Sequence, residues 1–297
     1  MKLKKASFSL KKRAKTFYFA SLFFSTEKRN DIKVLYLFCR FIDDLGDNTK
    51  LPKKISIIKL KKIKKELLTK KTKNEIIHNF INLMSKYNID NKIPNDLIDG
   101  VLSDLSKVNI KDYNQLFYYS YKVAGTVGLM MCDIMGVKKH SLKSNAIYLG
   151  IAMQLTNISR DIKEDLLRDR IYIPKEIRIH VNNNFNDIPF CEKLQKEFAK
   201  DLKKLIDTSD VIYDLAWEGI IKLPFKYRLP IAIASYLYQS IGTKIRNSNY
   251  NIWKKRIYLT KIDKVIKTFR VFMKLIYNDR VSKDLNTKGK LDKILKI

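Results

Sequence analysis

Polar and apolar positions repeat at helical spacing along nearly the whole chain, and no segment shows sustained strand alternation between turn signals. Only nine glycines and six prolines punctuate 297 residues, so the pattern predicts an all-α protein. A short helix is expected over Lys11 to Phe24, and a long one from about Asp31 through Asp47. Pro52 opens a Lys-rich stretch whose Ile and Leu share one helical face; that face rests on the core or on a membrane, with the core favoured. Helices follow around Asn74 to Tyr87 and Pro94 to Ser106, and Asp112 is placed to cap the next, which runs on to Gly136. Gly125 and Gly128 inside it cost helix stability, so a kink, a close helix contact or room for a ligand must explain them. The apolar run from Ala146 leads into a polar one ending at Asp165, and HVNNNFND, from His180, reads as a surface connection. Helices over Phe198 to Ile221, Leu229 to Ile245 and Ile257 to Tyr277 close a single bundle. One domain over residues 1–280 and a basic polar tail over 281–297 are expected.

Two of these helices carry carboxylates behind apolar runs. In QLTNISRDIKED, Gln154, Asn157, Asp161 and Asp165 recur at helical spacing and share one face. In VLYLFCRFIDDLGD, Asp43 and Asp47 stand four apart, and Arg40 and Tyr36 extend their stripe backwards. A lone stripe of this kind is most often a solvated helix face. Two of them, each embedded in an apolar helix beside an arginine (Arg40, Arg160), point instead to a shared cation, because buried carboxylates are costly unless neutralised. Hard oxygen donors suit Mg²⁺, with Mn²⁺ as the alternative, and Mg²⁺ commonly shares carboxylates with a substrate phosphate. A metal-bound phosphate ester is the expected ligand.

Charge adds a second theme. With 60 Lys and Arg against 30 Asp and Glu, the formal charge of +30 points to a polyanionic partner. The lysines are spread among many Ile and Asn, as a biased composition would also produce, and no nucleic-acid-binding signature accompanies them. Nucleic acid is therefore not expected, and anionic lipid headgroups are the favoured surface. Cys39, Cys132 and Cys191 form no CxxC pair and read as residues of a reduced protein, while His78, His140 and His180 sit in polar contexts that argue against a His-based centre. No apolar run is long enough to span a bilayer, and the first residues lack a signal-peptide core. A cytoplasmic location with peripheral contact on the inner face of the membrane is expected.

The segments KTFYFAS (from Lys15), LYLFCRFIDDLGD (from Leu35), YSYKVAGTVGLMM (from Tyr119), LGIAMQLTNISRDIKED (from Leu149) and RIYIP (from Arg170) resemble, in order and spacing, the squalene and phytoene synthases. Within that family of head-to-head prenyltransferases, VAGTVGLMM and the stretch from Tyr236 to Lys264 are most similar to the bacterial phytoene-forming branch. Thr16 stands where the family commonly has serine, and Gly46 where a larger residue is common. The resemblance implies a single-domain isoprenoid-synthase bundle around a deep central cavity. It also implies Mg²⁺-dependent joining of two geranylgeranyl diphosphates through prephytoene diphosphate to phytoene, or joining of two farnesyl diphosphates in the squalene-type alternative. On this footing Asp43, Asp47, Asp161 and Asp165 are the expected metal ligands, with Asp44 and Glu164 beside them. Arg40, Arg160 and Arg256, and more weakly Lys15 and Thr16, are the expected diphosphate clamps. Tyr36, Tyr119 and Tyr238 would face the carbocation. Gln154 and Asn157 would line the polar end of the cavity, and Phe17, Val123, Ala124 and Met153 its apolar depth.

Overall fold

The computed structural model describes residues 15–278, and the expected tail over 281–297 lies outside them, as do residues 11–14 of the first expected helix. Among the described residues there are eleven α-helices. They are α1 (Lys15–Ser21), α2 (Thr26–Gly46), α3 (Lys53–Thr69), α4 (Glu75–Tyr87), α5 (Lys92–Ser103), α6 (Tyr113–Ser120), α7 (Thr126–Met135), α8 (His140–Leu166), α9 (Glu192–Ile220), α10 (Phe225–Asn247) and α11 (Lys261–Asn278). The expected all-α single-domain fold is what forms. A two-residue parallel ladder pairs β1 (Val108–Asn109) with β2 (Arg170–Ile171), and it was not visible as an alternating pattern because two residues are too few to show one.

Local chemistry sets the helix ends. Asn74 Oδ1 accepts from the amides of Ile76 and Ile77 at 2.9 and 3.2 Å, and Asp112 Oδ1 accepts from that of Gln115 at 2.8 Å, so both are N-caps. The last helix starts at Lys261 rather than Ile257. Thr260 and Asp263 cap it reciprocally: the Asp263 amide donates to Thr260 Oγ1 at 3.1 Å, and the Thr260 amide donates to Asp263 Oδ2 at 2.7 Å. Residues 251–260 therefore form a strap, not helix. The segment read as a surface connection is a 3₁₀ stretch, Asn182–Phe190, anchored by buried Phe185 and Ile188.

Tertiary packing forms two apolar clusters. In one, α8 lies along α9 and meets α10, with Leu155, Ile158, Phe198 and Leu205 fully shielded. In the other, α2 packs on α4, α5 and α7, and the rings of Phe38 and Phe80 stack with centroids 3.6 Å apart. Burying each such side chain contributes roughly 1.5–3 kcal/mol. Leu60, Ile63 and Leu67 of the Lys-rich α3 are buried in this second cluster, so its main apolar face serves the core. Between α6 and α7 the chain makes one π-helical turn, Tyr121–Gly125. Gly128 is needed for helix contact: a Cβ there would meet the Ala146 carbonyl oxygen at 2.3 Å, and one at Gly150 would meet that of Ala124 at 2.4 Å.

Candidate active site

A cavity of about 880 Å³ opens between the two clusters, near the upper end of the roughly 300–1,000 Å³ usual for ligand pockets. Its wall takes Asp43 and Asp47 from α2 and Asp161 and Asp165 from α8, so helices distant in sequence bring both acidic stripes to one space. Every other expected site residue lines it as well: Thr16, Phe17, Tyr36, Arg40, Tyr119, Val123, Ala124, Met153, Gln154, Asn157, Arg160, Tyr238 and Arg256. The exceptions are Lys15, whose side chain falls outside the described part, and Asp44, expected beside the ligands, which is not part of the wall. Gly125 is not part of the wall; it is buried against Tyr121 and Ile147, so it supplies packing rather than depth.

The carboxylates differ in how they are held. Asp47 accepts from Arg170 at 2.8 Å through one oxygen and pairs with Arg168 at 2.9 Å through the other. Asp161 accepts from Arg160 Nε at 2.7 Å and from Arg256 at 2.9 Å. Arg256 also reaches Glu164, at 3.4 Å. Arg40 pairs with Asp44 one turn on, while its buried Nε makes no hydrogen bond. Asp43 and Asp165 lack such direct pairing. Burial first, and neighbouring carboxylates in addition, push each up to about 7, against the lowering by Arg40 at Asp43 and by Arg170 and Arg168 at Asp165.

A third acidic group belongs to the site. Asp104, just past α5, accepts from Tyr119 at 2.9 Å and from Tyr172 at 2.7 Å, and those two rings stack with centroids 4.8 Å apart. Burial raises Asp104 to about 6, although Tyr172, Arg170 and Tyr119 all lower it. Burial also keeps Tyr119 and Tyr238 protonated, so both phenols remain donors. Arg170 ties the region together, donating to the carbonyls of Gly46 and Asp104 at 3.1 and 3.3 Å as well as to Asp47. Gly46 lets α5 approach α2, because a Cβ here would stand 2.4 Å from Val101 Cγ1.

Asp104, Arg168, Arg170, Tyr172 and buried Lys264 all line the cavity and were not singled out from the sequence as site residues. The signal for three of them lay in RDRIYIP, which brings Arg168 and Arg170 back toward α2 through the β1–β2 ladder. Asp104 carried none, since it is a single acid at a helix end.

Among the described residues, no three His, Cys, Asp or Glu side chains are gathered into a ready metal cluster. The donor set nevertheless fits a hard divalent cation. Asp43 and Asp165 are raised by burial first and like charge in addition, and the oxygens of Asp47 and Asp161 are held by guanidinium groups rather than by backbone.

The all-α bundle thus encloses a cavity whose wall combines acidic and arginine side chains with Val, Ala, Leu and Met. Residues 10–263 match the squalene/phytoene synthase family, and the chain belongs to it. It is 32% identical to phytoene synthase 1, chloroplastic, from Zea mays over 85% of this chain and 63% of that protein. The likeness to the Arabidopsis thaliana enzyme of that name is 30%, over 85% of this chain and 61% of the relative. The chain thus spans somewhat under two thirds of the length of these curated relatives. Its fold superposes on a dehydrosqualene synthase solved with ligand at TM-score 0.80 and 24% identity, covering 93% of this chain and 96% of that one.

Proposed function

We propose that this protein is a phytoene synthase, joining two geranylgeranyl diphosphates head to head through prephytoene diphosphate. The reaction class rests on one observation: two Asp pairs and five arginines line the same cavity as a wall of Val, Ala, Leu and Met. The choice of product rests on the likeness to curated phytoene synthases. Asp43, Asp47, Asp161 and Asp165 would hold Mg²⁺, or Mn²⁺, which when bound neutralises the leaving diphosphate. Arg40, with its unused Nε, and Arg160 and Arg256 grip diphosphate oxygens through their planar forks, assisted by Thr16 and Lys15. Gln154 and Asn157 orient the polar head. Tyr36, Tyr119 and Tyr238 present ring faces to the allylic cation, and the phenols of Tyr119 and Tyr238 stay protonated. Phe17, Val123, Ala124 and Met153 enclose the chains and exclude water.

No helix among the described residues is long and apolar enough to cross a membrane. A cytoplasmic protein in peripheral contact with an anionic membrane is the location that accords with its charge. Purified protein given Mg²⁺ and either the C20 or the C15 diphosphate, with the hydrocarbon identified by mass spectrometry, tests the reading. Phytoene from the C20 substrate is expected. Consumption of the C15 diphosphate alone, giving presqualene diphosphate, hydroxysqualene or squalene, replaces it with the squalene-type alternative.

A further inference from the structure

Helix α11 turns an apolar face outward. Ile262, Val265, Ile266, Phe269, Phe272, Met273 and Ile276 are all exposed, Ile262 at 71% and Phe269 at 65%. At 3.6 residues per turn they occupy an arc of about 120° and a length of about 21 Å. The helix needs only Val271, Leu275 and Lys264, on another side, to seat itself on the bundle. Scattered exposed apolar residues are ordinary, but a continuous stripe of this length marks an interaction surface.

Charge selects the partner. α11 carries Lys261, Lys264, Lys267, Arg270 and Lys274 against one acid, Asp263. That acid is used within the fold, paired with Lys244 at 2.5 Å and bound to the Thr260 amide at 2.7 Å. Lys261 flanks the stripe on one edge and Arg270 on the other, the arrangement in which long cationic side chains reach headgroups while apolar ones enter the acyl boundary. A second copy of the same face would bring like charges together at both edges. The segment that follows, 279–297, is itself basic, so like charge disfavours it as the occupant of this face. The strap before α11 lines the cavity through Ile257, Tyr258 and Leu259, and Lys264 on the inward side of α11 lines it too, so the helix borders the cavity.

We infer that the outward face of α11 docks the protein on an anionic lipid bilayer, next to the cavity that handles its apolar substrate and product. This rests on the proposed action on isoprenoid diphosphates and names the surface that delivers it. The test measures co-sedimentation with vesicles of phosphatidylcholine alone and of equimolar phosphatidylcholine and phosphatidylglycerol, at low and high salt. Wild type, a Phe269→Glu/Phe272→Glu variant, and an Ile58→Glu/Leu68→Glu variant of exposed positions on α3 are compared. The wild type binds the anionic vesicles and loses binding with salt; the α11 variant binds at least about tenfold more weakly, and the α3 variant binds like wild type. Serine at the same α11 positions gives the same loss should the glutamates disturb folding, as judged by circular dichroism. Undiminished vesicle binding by the folded α11 variants overturns the inference, as does a concentration-dependent wild-type dimer that those variants abolish. Turnover of detergent-dispersed diphosphates is read separately: its absence in wild type defeats the functional reading, whereas intact turnover without α11-dependent binding defeats only the docking surface.

Discussion

Four carboxylates line one cavity, yet their surroundings divide them into two kinds. Asp47 and Asp161 are each held by two guanidinium groups, while Asp43 and Asp165 are pushed toward neutral pH by burial and like charge. Under the proposed metal role the second kind gains most from a cation, which would offset its like charge. Replacing Asp161 with Ala is expected to lower turnover by on the order of 10²–10³-fold, the usual loss when one group stabilising developing charge is removed. Circular dichroism should remain near wild type, because Asp161 faces the cavity and not the core. Near-normal turnover of this variant at saturating Mg²⁺ would refute the metal assignment. All four carboxylates were legible as helical spacing. Their arginine partners were only partly so, since Arg168 and Arg170 reach Asp47 from 121 and 123 residues away in sequence (168 − 47 and 170 − 47).

At the scale of elements, the glycines of the VAGTVG stretch show how one short sequence serves several ends. The three explanations open from sequence, a kink, close packing or ligand room, all occur within a few residues. The π-helical turn Tyr121–Gly125 shifts the register, and turns of this kind recur at functional sites. Gly128 lets α7 touch the backbone of α8, and Val123 and Ala124 face the cavity. Depth at this point should set chain length. Ala124→Phe is therefore expected to reduce turnover of geranylgeranyl diphosphate at least about tenfold more than that of farnesyl diphosphate, in a protein whose overpacking cost stays within roughly 1–3 kcal/mol. Both substrates are assayed on one folded preparation. An equal loss on both would remove Ala124 from the length-determining wall.

Burial raises three carboxylates of the cavity wall, and this gives the stability of the whole molecule a pH dependence of defined sign. Asp43 and Asp165 at about 7, and Asp104 at about 6, all lie above the ordinary value of 3.8. Between that value and about 7 the folded state holds protons that the unfolded chain has released, so unfolding becomes easier as pH rises through this window. Metal-free protein should accordingly show a Tm several degrees lower at pH 8 than at pH 5. Mg²⁺ should restore more of that loss at pH 8, where the carboxylates are free to bind it. Differential scanning fluorimetry with and without Mg²⁺ at both pH values measures this, and an Mg²⁺ effect independent of pH would count against these carboxylates as its ligands.

The sequence by itself determined the all-α class, most helix positions and the identity of the metal-binding candidates, because these depend on periodicity within one helix. It also carried the family, through motifs whose order is linear. What it left open depends on groups distant along the chain. The start of α11 was placed at Ile257, four residues early, because the apolar pattern of the helix already begins there, while the capping pair Thr260 and Asp263 decides the boundary. Asp104 became a site residue only when Tyr119 and Tyr172 converged on it from two other segments. Gly46 acquired its reason only from the approach of Val101. The apolar half of α11 reads as ordinary core in sequence, and only packing showed that the bundle buries one side of that helix and leaves the other facing outward.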